Sequence, residues 1–230
     1  MVFVDRSIYM KSKKTTSSGK TPGVLAIGAH PDDIELGCGA TLSRLAHNDV
    51  YILSVIMTSG GCGGNATERY EESREALKIL GCNKIINLDF NDTKLYLQLK
   101  EMIDSLERIL ATEIPSDVEI MRVYTMHNAD RHQDHVAVYQ ASMVACRHIP
   151  QILGYETPST WISFSPQVFE PLEENHLEKK ISALSKHKSQ SLRKYMQPEH
   201  LWILAKFRGQ QVDCSLCEGF VVHKMVLQEY

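Results

Sequence analysis

The chain has 230 residues, 43% of them hydrophobic, and 25 Lys and Arg against 28 Asp and Glu give a formal charge of −3. That length supports one domain with a proper core, and the charge argues against a general nucleic-acid binder. No apolar run approaches the roughly 20 residues that span a bilayer, and the apolar residues 1–4 meet Asp5 and Arg6 at once, too soon for a secretory signal.

Residues 1–22, with Lys13-Lys14-Thr15-Thr16-Ser17-Ser18-Gly19, read as a polar N-terminal tail ahead of a single domain over 23–230. The six cysteines are scattered and give no disulfide framework. Cys214 and Cys217 form a lone C-x-x-C without the further soft ligands a structural zinc needs. Reduced thiols and a cytoplasmic location are therefore expected.

The predicted elements alternate. Residues 24–29 form a continuous apolar run, as in a strand buried on both faces. A short helix is predicted over 39–47 and a second buried strand over 50–58. The segment 59–65 (SGGCGGN) holds four glycines and reads as a flexible loop. A helix over 67–80, stopped by Gly81, precedes a strand over 84–88. An amphipathic helix follows over 95–112, apolar at Leu95, Leu99, Met102, Ile103, Leu106 and Leu110. A fourth strand is expected over 118–125 and a helix over 135–147. The last third is less regular, with short strands expected at 152–155, 161–164 and 220–222 and helices at 177–187 and 199–207. Strands separated by helices imply an α/β fold of βαβ units, a mostly parallel sheet with helices on both faces. Such sheets bind ligands beyond the carboxyl ends of their strands.

Two polar clusters sit at such ends. Ala29-His30-Pro31-Asp32-Asp33-Ile34-Glu35 puts a histidine and two adjacent carboxylates where the first strand stops, and such groups are costly to bury without partners. Asp130-Arg131-His132-Gln133-Asp134-His135 follows the fourth strand. There His132 and His135 are three apart at a helix start, hence on one face. A catalytic zinc takes about three protein ligands and keeps one position open. His30, Asp33 and His135 supply two nitrogens and an oxygen. Asp32, His132 and Asp134 then remain for chemistry. Asp32 would take the proton of an attacking water, and His132 would stabilise an oxyanion or protonate a leaving nitrogen. Asp134 would hold the His132 ring and keep it protonated. Helix capping by Asp32 or Asp33, and a helix-dipole role for Asp134, are the plainer alternatives. The joint placement after two buried strands favours a metal.

These residues resemble the LmbE-like or PIG-L-like N-acetylglucosaminyl deacetylases, which carry an AHPDD-x-E element after the first strand and an H-x-D-H element after a later one. Arg69, Glu71 and Glu72 with Ala76 and Ile79-Leu80-Gly81 resemble the family's R-x-E-E helix. Lys188-Ser189-Gln190 and Glu218-Gly219-Phe220 resemble its C-terminal signatures, so the likeness covers about residues 23–225. The resemblance implies a Rossmann-like three-layer αβα sandwich, one zinc per chain, and hydrolysis of the N-acetyl group of an amino sugar to acetate and the free amine. It also implies the ligand set His30, Asp33 and His135, the base Asp32, and a transition-state histidine His132 paired with Asp134. Arg69 matches a substrate-binding position, against the alternative of a helix-surface arginine paired with Glu72.

Thr58 is followed by Ser59 where relatives often carry an acid, and the loop beyond is unusually rich in glycine, so the sugar itself does not carry over. The segment 154–159 is a second expected pocket wall. Another divalent metal could replace zinc, since N and O ligands do not fix the choice. Relatives often form homo-oligomers, which carries over only as analogy. Two other readings stay open: a zinc hydrolase of another small amide, and a non-catalytic metal- or nucleotide-binding module. Against the last, Asp32, His132 and Asp134 exceed what binding needs, and no G-x-G-x-x-G follows the first strand.

Overall fold

A computed structural model describes residues 15–226, so residues 1–14 of the expected tail lie outside the described residues. In chain order the elements are β1 (Thr21–Gly28), α1 (Asp33–His47), β2 (Tyr51–Ile56), α2 (Ala66–Ile79), β3 (Lys84–Asn87), α3 (Leu99–Thr112) and β4 (Val118–Met126). There follow α4 (Gln133–Ala145), β5 (Gln151–Tyr155), β6 (Val168–Pro171), α5 (Glu174–Leu184), α6 (Pro198–Gln210) and β7 (Cys217–Met225). One seven-stranded sheet runs in the order β3-β2-β1-β4-β5-β7-β6. The first five strands are parallel, while β7 is antiparallel to both β5 and β6. Helices α1, α2, α5 and α6 pack together, and α3 packs with α4, which gives the expected αβα layering.

Central burial explains the continuous apolar runs. Leu25, Ala26 and Ile27 in β1 and Ile52, Leu53 and Val55 in β2 are all fully buried, each large aliphatic contributing about 2 kcal/mol of burial. The winding positions the site. From β1 the chain moves outward through β2 to β3, then returns to place β4 on the other flank of β1. Strand order reverses between β1 and β4, and a crevice opens at the carboxyl end of such a switch point.

Four expectations need correction. The first helix begins at Asp33 rather than at 39, and a non-helical Cys38 (φ −141°, ψ 16°) breaks it. Gly37, just before the break, lies so close to the Tyr155 ring that a Cβ there would sit 2.0 Å from it. Tyr155 in turn donates to the Ile27 carbonyl at 2.7 Å, locking α1 against the end of β1. The predicted 95–112 helix is split, with a 3-10 turn over Leu95–Leu97 and α3 beginning only at Leu99. Residues 161–164 form a turn, with Ile162 wholly exposed, and not a strand. The strand lies instead at Val168–Pro171, between two prolines, and its Pro171 is tolerated because β6 is an edge strand. The 59–65 loop is tied down: Arg69 Nη1 donates to the Gly60 carbonyl at 2.8 Å. A Cβ at Gly60 or Gly63 would fall 2.5 or 2.4 Å from that nitrogen, so the guanidinium requires both glycines.

Candidate active site

The turn after β1 folds around one carboxylate. Asp33 Oδ2 accepts the backbone N–H groups of Ala29 (3.1 Å) and His30 (2.8 Å). Neither bond caps the helix. The same carboxylate lies 3.3 Å from His30 Nδ1 through Oδ2 and 3.4 Å from His135 Nε2 through Oδ1. Asp32, one residue before, is held at φ 104°, a left-handed conformation that costs a non-glycine residue about 1–3 kcal/mol. It makes no side-chain cap. Its Oδ2 faces Arg69 Nη2 at 3.6 Å.

The turn before α4 supplies the other half. His135 Nδ1 is backed by Asp130 Oδ2 at 3.1 Å, and Asp130 is held by the His132 N–H (2.8 Å) and the Thr157 hydroxyl (2.9 Å). His30 is backed in the same way, its Nε2 lying 3.2 Å from both Asp92 Oδ1 and Asp134 Oδ2. Asp134, fully buried, also accepts the N–H groups of Thr93 (2.7 Å) and Leu95 (3.2 Å).

This corrects one expectation. The Asp134 carboxylate does not hold the His132 ring; the contact runs from the Asp134 backbone N–H to His132 Nδ1, at 3.2 Å, with His132 as the N-cap of α4. An Nδ1 that accepts leaves a neutral ring its proton on Nε2. Burial, then the charges of His30 and His135, also lower the His132 pKa, which disfavours the protonated ring.

The remaining electrostatics follow from burial and charge. Burial, then the adjacent Asp33 charge, pushes Asp32 up to about 7. Burial works against ionising Asp33, yet His135 and His30 hold its carboxyl well below the usual range. Burial pulls His135 down, but Asp33 and Asp130 outweigh it and lift the ring to about 9. His30 is likewise raised against its burial, by Asp134, Asp33 and Asp92. Burial opposes charge on Asp92 too, but His30 and the Cys62 N–H bring it to about 2.

Asp33, Asp130 and Asp134 are buried and Asp92 nearly so, an excess of negative charge around two imidazoles that invites a cation. Two donor groups lie within reach of one ion: His30, His132 and His135, and separately His30, Asp92 and Asp134. The Asp33 carboxylate lies between His30 and His135. His30, Asp33 and His135 are thus brought together as expected, with Asp32 and His132 beside them.

Arg69 is 5% exposed, which removes the surface alternative. It donates to the Gly60 and Pro31 carbonyls, while Glu72 binds Ser189 instead. The site floors a cavity of about 460 Å³ walled by Gly63, Thr157, Pro158, Ser159, Gln190 and Tyr195; of the expected 154–159 wall, residues 157–159 line it, while Gly154 and Tyr155 belong to β5. Sequence reading missed Asp92, and it placed Asp130 in the second cluster without giving it a role. The one signal available was an unpaired carboxylate in a short polar segment after a strand, in Asn91-Asp92-Thr93 and Asn128-Ala129-Asp130.

Known proteins share sequence and fold with this chain. Residues 25–146 match the PIG-L family, described as GlcNAc-PI de-N-acetylase. A protein of Escherichia coli K12 described as the uncharacterized deacetylase YaiS is 64% identical over 181 residues, 78% of this chain and 98% of that one. Diacetylchitobiose deacetylase of Thermococcus kodakarensis is 26% identical over 201 residues, covering 79% of this chain and 72% of that one. A solved structure of a conserved protein from Thermus thermophilus superposes with a TM-score of 0.75 over 90% of this chain and 96% of that one, at 24% identity, a likeness of fold. With its family match, its near relative in E. coli and a matching fold, the chain belongs to the PIG-L family of deacetylases.

Proposed function

We propose that the enzyme removes the N-acetyl group of an N-acetylglucosamine-type amino sugar or its conjugate, with one divalent ion, zinc by preference, held by His30, Asp33 and His135. The observation that carries this reading is the Asp33 carboxylate shared between His30 Nδ1 and His135 Nε2. Each of those rings backs its other nitrogen on a carboxylate, the usual partner of a ligating histidine. His132 differs: its Nδ1 accepts from the backbone, so Nε2 carries a proton and is left out of the ligand set. When bound, the ion polarises the acetyl carbonyl and lowers the pKa of an attacking water to roughly 7.

The chain's own groups supply the rest. Asp32, its carboxyl near neutrality through burial, takes the proton of water as oxygen attacks the carbonyl carbon. His132 donates Nε2–H to the developing oxyanion. Asp32 then passes its proton to the sugar nitrogen, the C–N bond breaks, and acetate and the amine leave. Arg69 holds Asp32 toward the site and presents charge to the sugar. Asp134 positions His30 rather than His132. The sugar is supported by the relative described as diacetylchitobiose deacetylase.

The test is acetate release by the purified protein with one equivalent of zinc. N-acetylglucosamine, diacetylchitobiose and other N-acetyl sugar conjugates are run beside simple acetamides and N-acetyl amino acids. Acetate with equimolar amine from a sugar is expected. Release only from non-sugar amides, or from nothing, would overturn the sugar reading.

A further inference from the structure

Behind the site lies a charged pair that the reaction does not use. Lys180 of α5 and Glu218 of β7 are both buried, with Nζ 2.7 Å from Oε1. Two charges taken out of water are weak evidence of stability, because apolar residues of similar volume often serve as well or better. The other bonds of the pair are therefore the informative ones.

Both ends reach into the break of α1. Lys180 Nζ donates to the Leu36 carbonyl at 2.6 Å. Glu218 accepts the Ala40 N–H on Oε1 at 3.2 Å and the Thr41 N–H on Oε2 at 2.7 Å. In an unbroken helix the Ala40 N–H would meet the Leu36 carbonyl, four residues back. Those are the two groups that the pair bonds, one with each charge, on either side of the non-helical Cys38. A side chain inserted into the helical ladder is one of the few causes of a sharp kink. Here one ion pair caps two pieces at once: Lys180 closes the first turn and Glu218 opens the rest. Gly39 makes room for it, since a Cβ there would stand 3.3 Å from Lys180 Cγ.

The piece ahead of the break, residues 33–37, carries Asp33 and directly follows Asp32. It has its own anchors. Glu35 Oε1 accepts the Ser73 hydroxyl and lies against His187 Nε2, each at 3.0 Å. The break thus frees this turn from the axis of the longer piece, which packs on α5.

We propose that Lys180 and Glu218 are positioning residues for the metal site: they hold α1 broken, so that its first turn aims Asp32 and Asp33 independently of the rest of the helix. This inference rests on the ligand set proposed above and adds two residues that fix it.

The experiment replaces the pair with unbranched apolar chains in Lys180→Met/Glu218→Met. The control is Arg44→Met, which breaks an ion pair with Glu170 farther along α1. The double variant should keep a Tm near that of the natural chain. Its crystal structure without metal should show Ala40 bonded to Leu36 and a helical Cys38. Zinc affinity, by competition with a coloured chelator, should fall about 10- to 100-fold, and kcat by a similar factor. Arg44→Met should do the reverse, lowering Tm with zinc affinity unchanged. A double variant that binds zinc like the natural chain, or whose α1 stays broken, overturns the proposal. Should it fail to fold, Glu218→Gln decides, because it keeps the volume and one acceptor oxygen. Zinc binding several-fold weaker is then expected, and unchanged binding overturns the proposal. A natural chain that retains no zinc would sink the ligand set instead.

Discussion

The turns after β1 and β4 lie side by side, the first bringing His30 and Asp33 and the second His135 to one point, yet they are built in opposite ways. The first closes on itself: Asp33 takes the N–H groups of Ala29 and His30, and the strain of the sharp bend sits at Asp32. The second is propped from outside. Asp130 is steadied by Thr157 beyond β5, and Asp134 by Thr93 and Leu95 beyond β3. Local hydrogen bonds thus pin one half of the site, while distant segments set the other through two carboxylates. Asp134 also crosses between them, since it stands in the second turn and backs His30 of the first.

The sharpest way to break this comparison is to remove a ligand from each turn. His30→Ala and His135→Ala should both fail to retain one equivalent of zinc after dialysis against a weak chelator, read by metal analysis. Retention by either would show that the two halves do not share one ion. Next comes the strained residue: Asp32→Asn should keep its zinc but lose about 10²- to 10⁴-fold in kcat. His132→Ala should cost about 10²- to 10³-fold with zinc retained; loss of zinc there would move His132 into the ligand set. Smaller effects test the propping. Asp130→Asn and Asp134→Asn should each weaken zinc binding about 10- to 100-fold, measured by competition with a coloured chelator. If Asp134→Asn leaves affinity intact while Asp130→Asn does not, the crossing from the second turn to the first is wrong.

The mildest test is pH. Without metal, the His135 pKa is raised from its ordinary 6.5 to about 9. A folded-state pKa above the unfolded one gives stability that is complete below about pH 6.5 and is lost as pH rises through the folded value. The metal-free protein should therefore show a falling Tm from about pH 6.5 to 9. Zinc displaces the same protons, so its apparent affinity should rise over that interval.

How far the sequence could be read follows from the same contrast. The first turn is contiguous, and His30, Asp32 and Asp33 stand together as they do in space. The parallel core was legible because β1 and β2 are buried on both faces and are apolar throughout. Asp92 stayed hidden because its partner His30 is far away in the chain, and no spacing rule joins them. For Asp134, proximity in sequence points to His132, whereas hydrogen bonding sends its carboxylate to His30. Strand β6 was missed because two prolines flank a short apolar run, and an edge position tolerates what a central strand would not.

The reversal of strand order at β1 has a consequence for how the protein comes into being. β1 pairs with β4 across a stretch that includes all of β2 and β3, so the two histidine turns meet only after a long loop has closed. A chain emerging from the ribosome would complete β1, α1 and β2 while still lacking the partner strand and every residue of the second turn. Half a site holds metal poorly, so the nascent chain would capture its ion late, as a seal on a finished sheet rather than a nucleus for it.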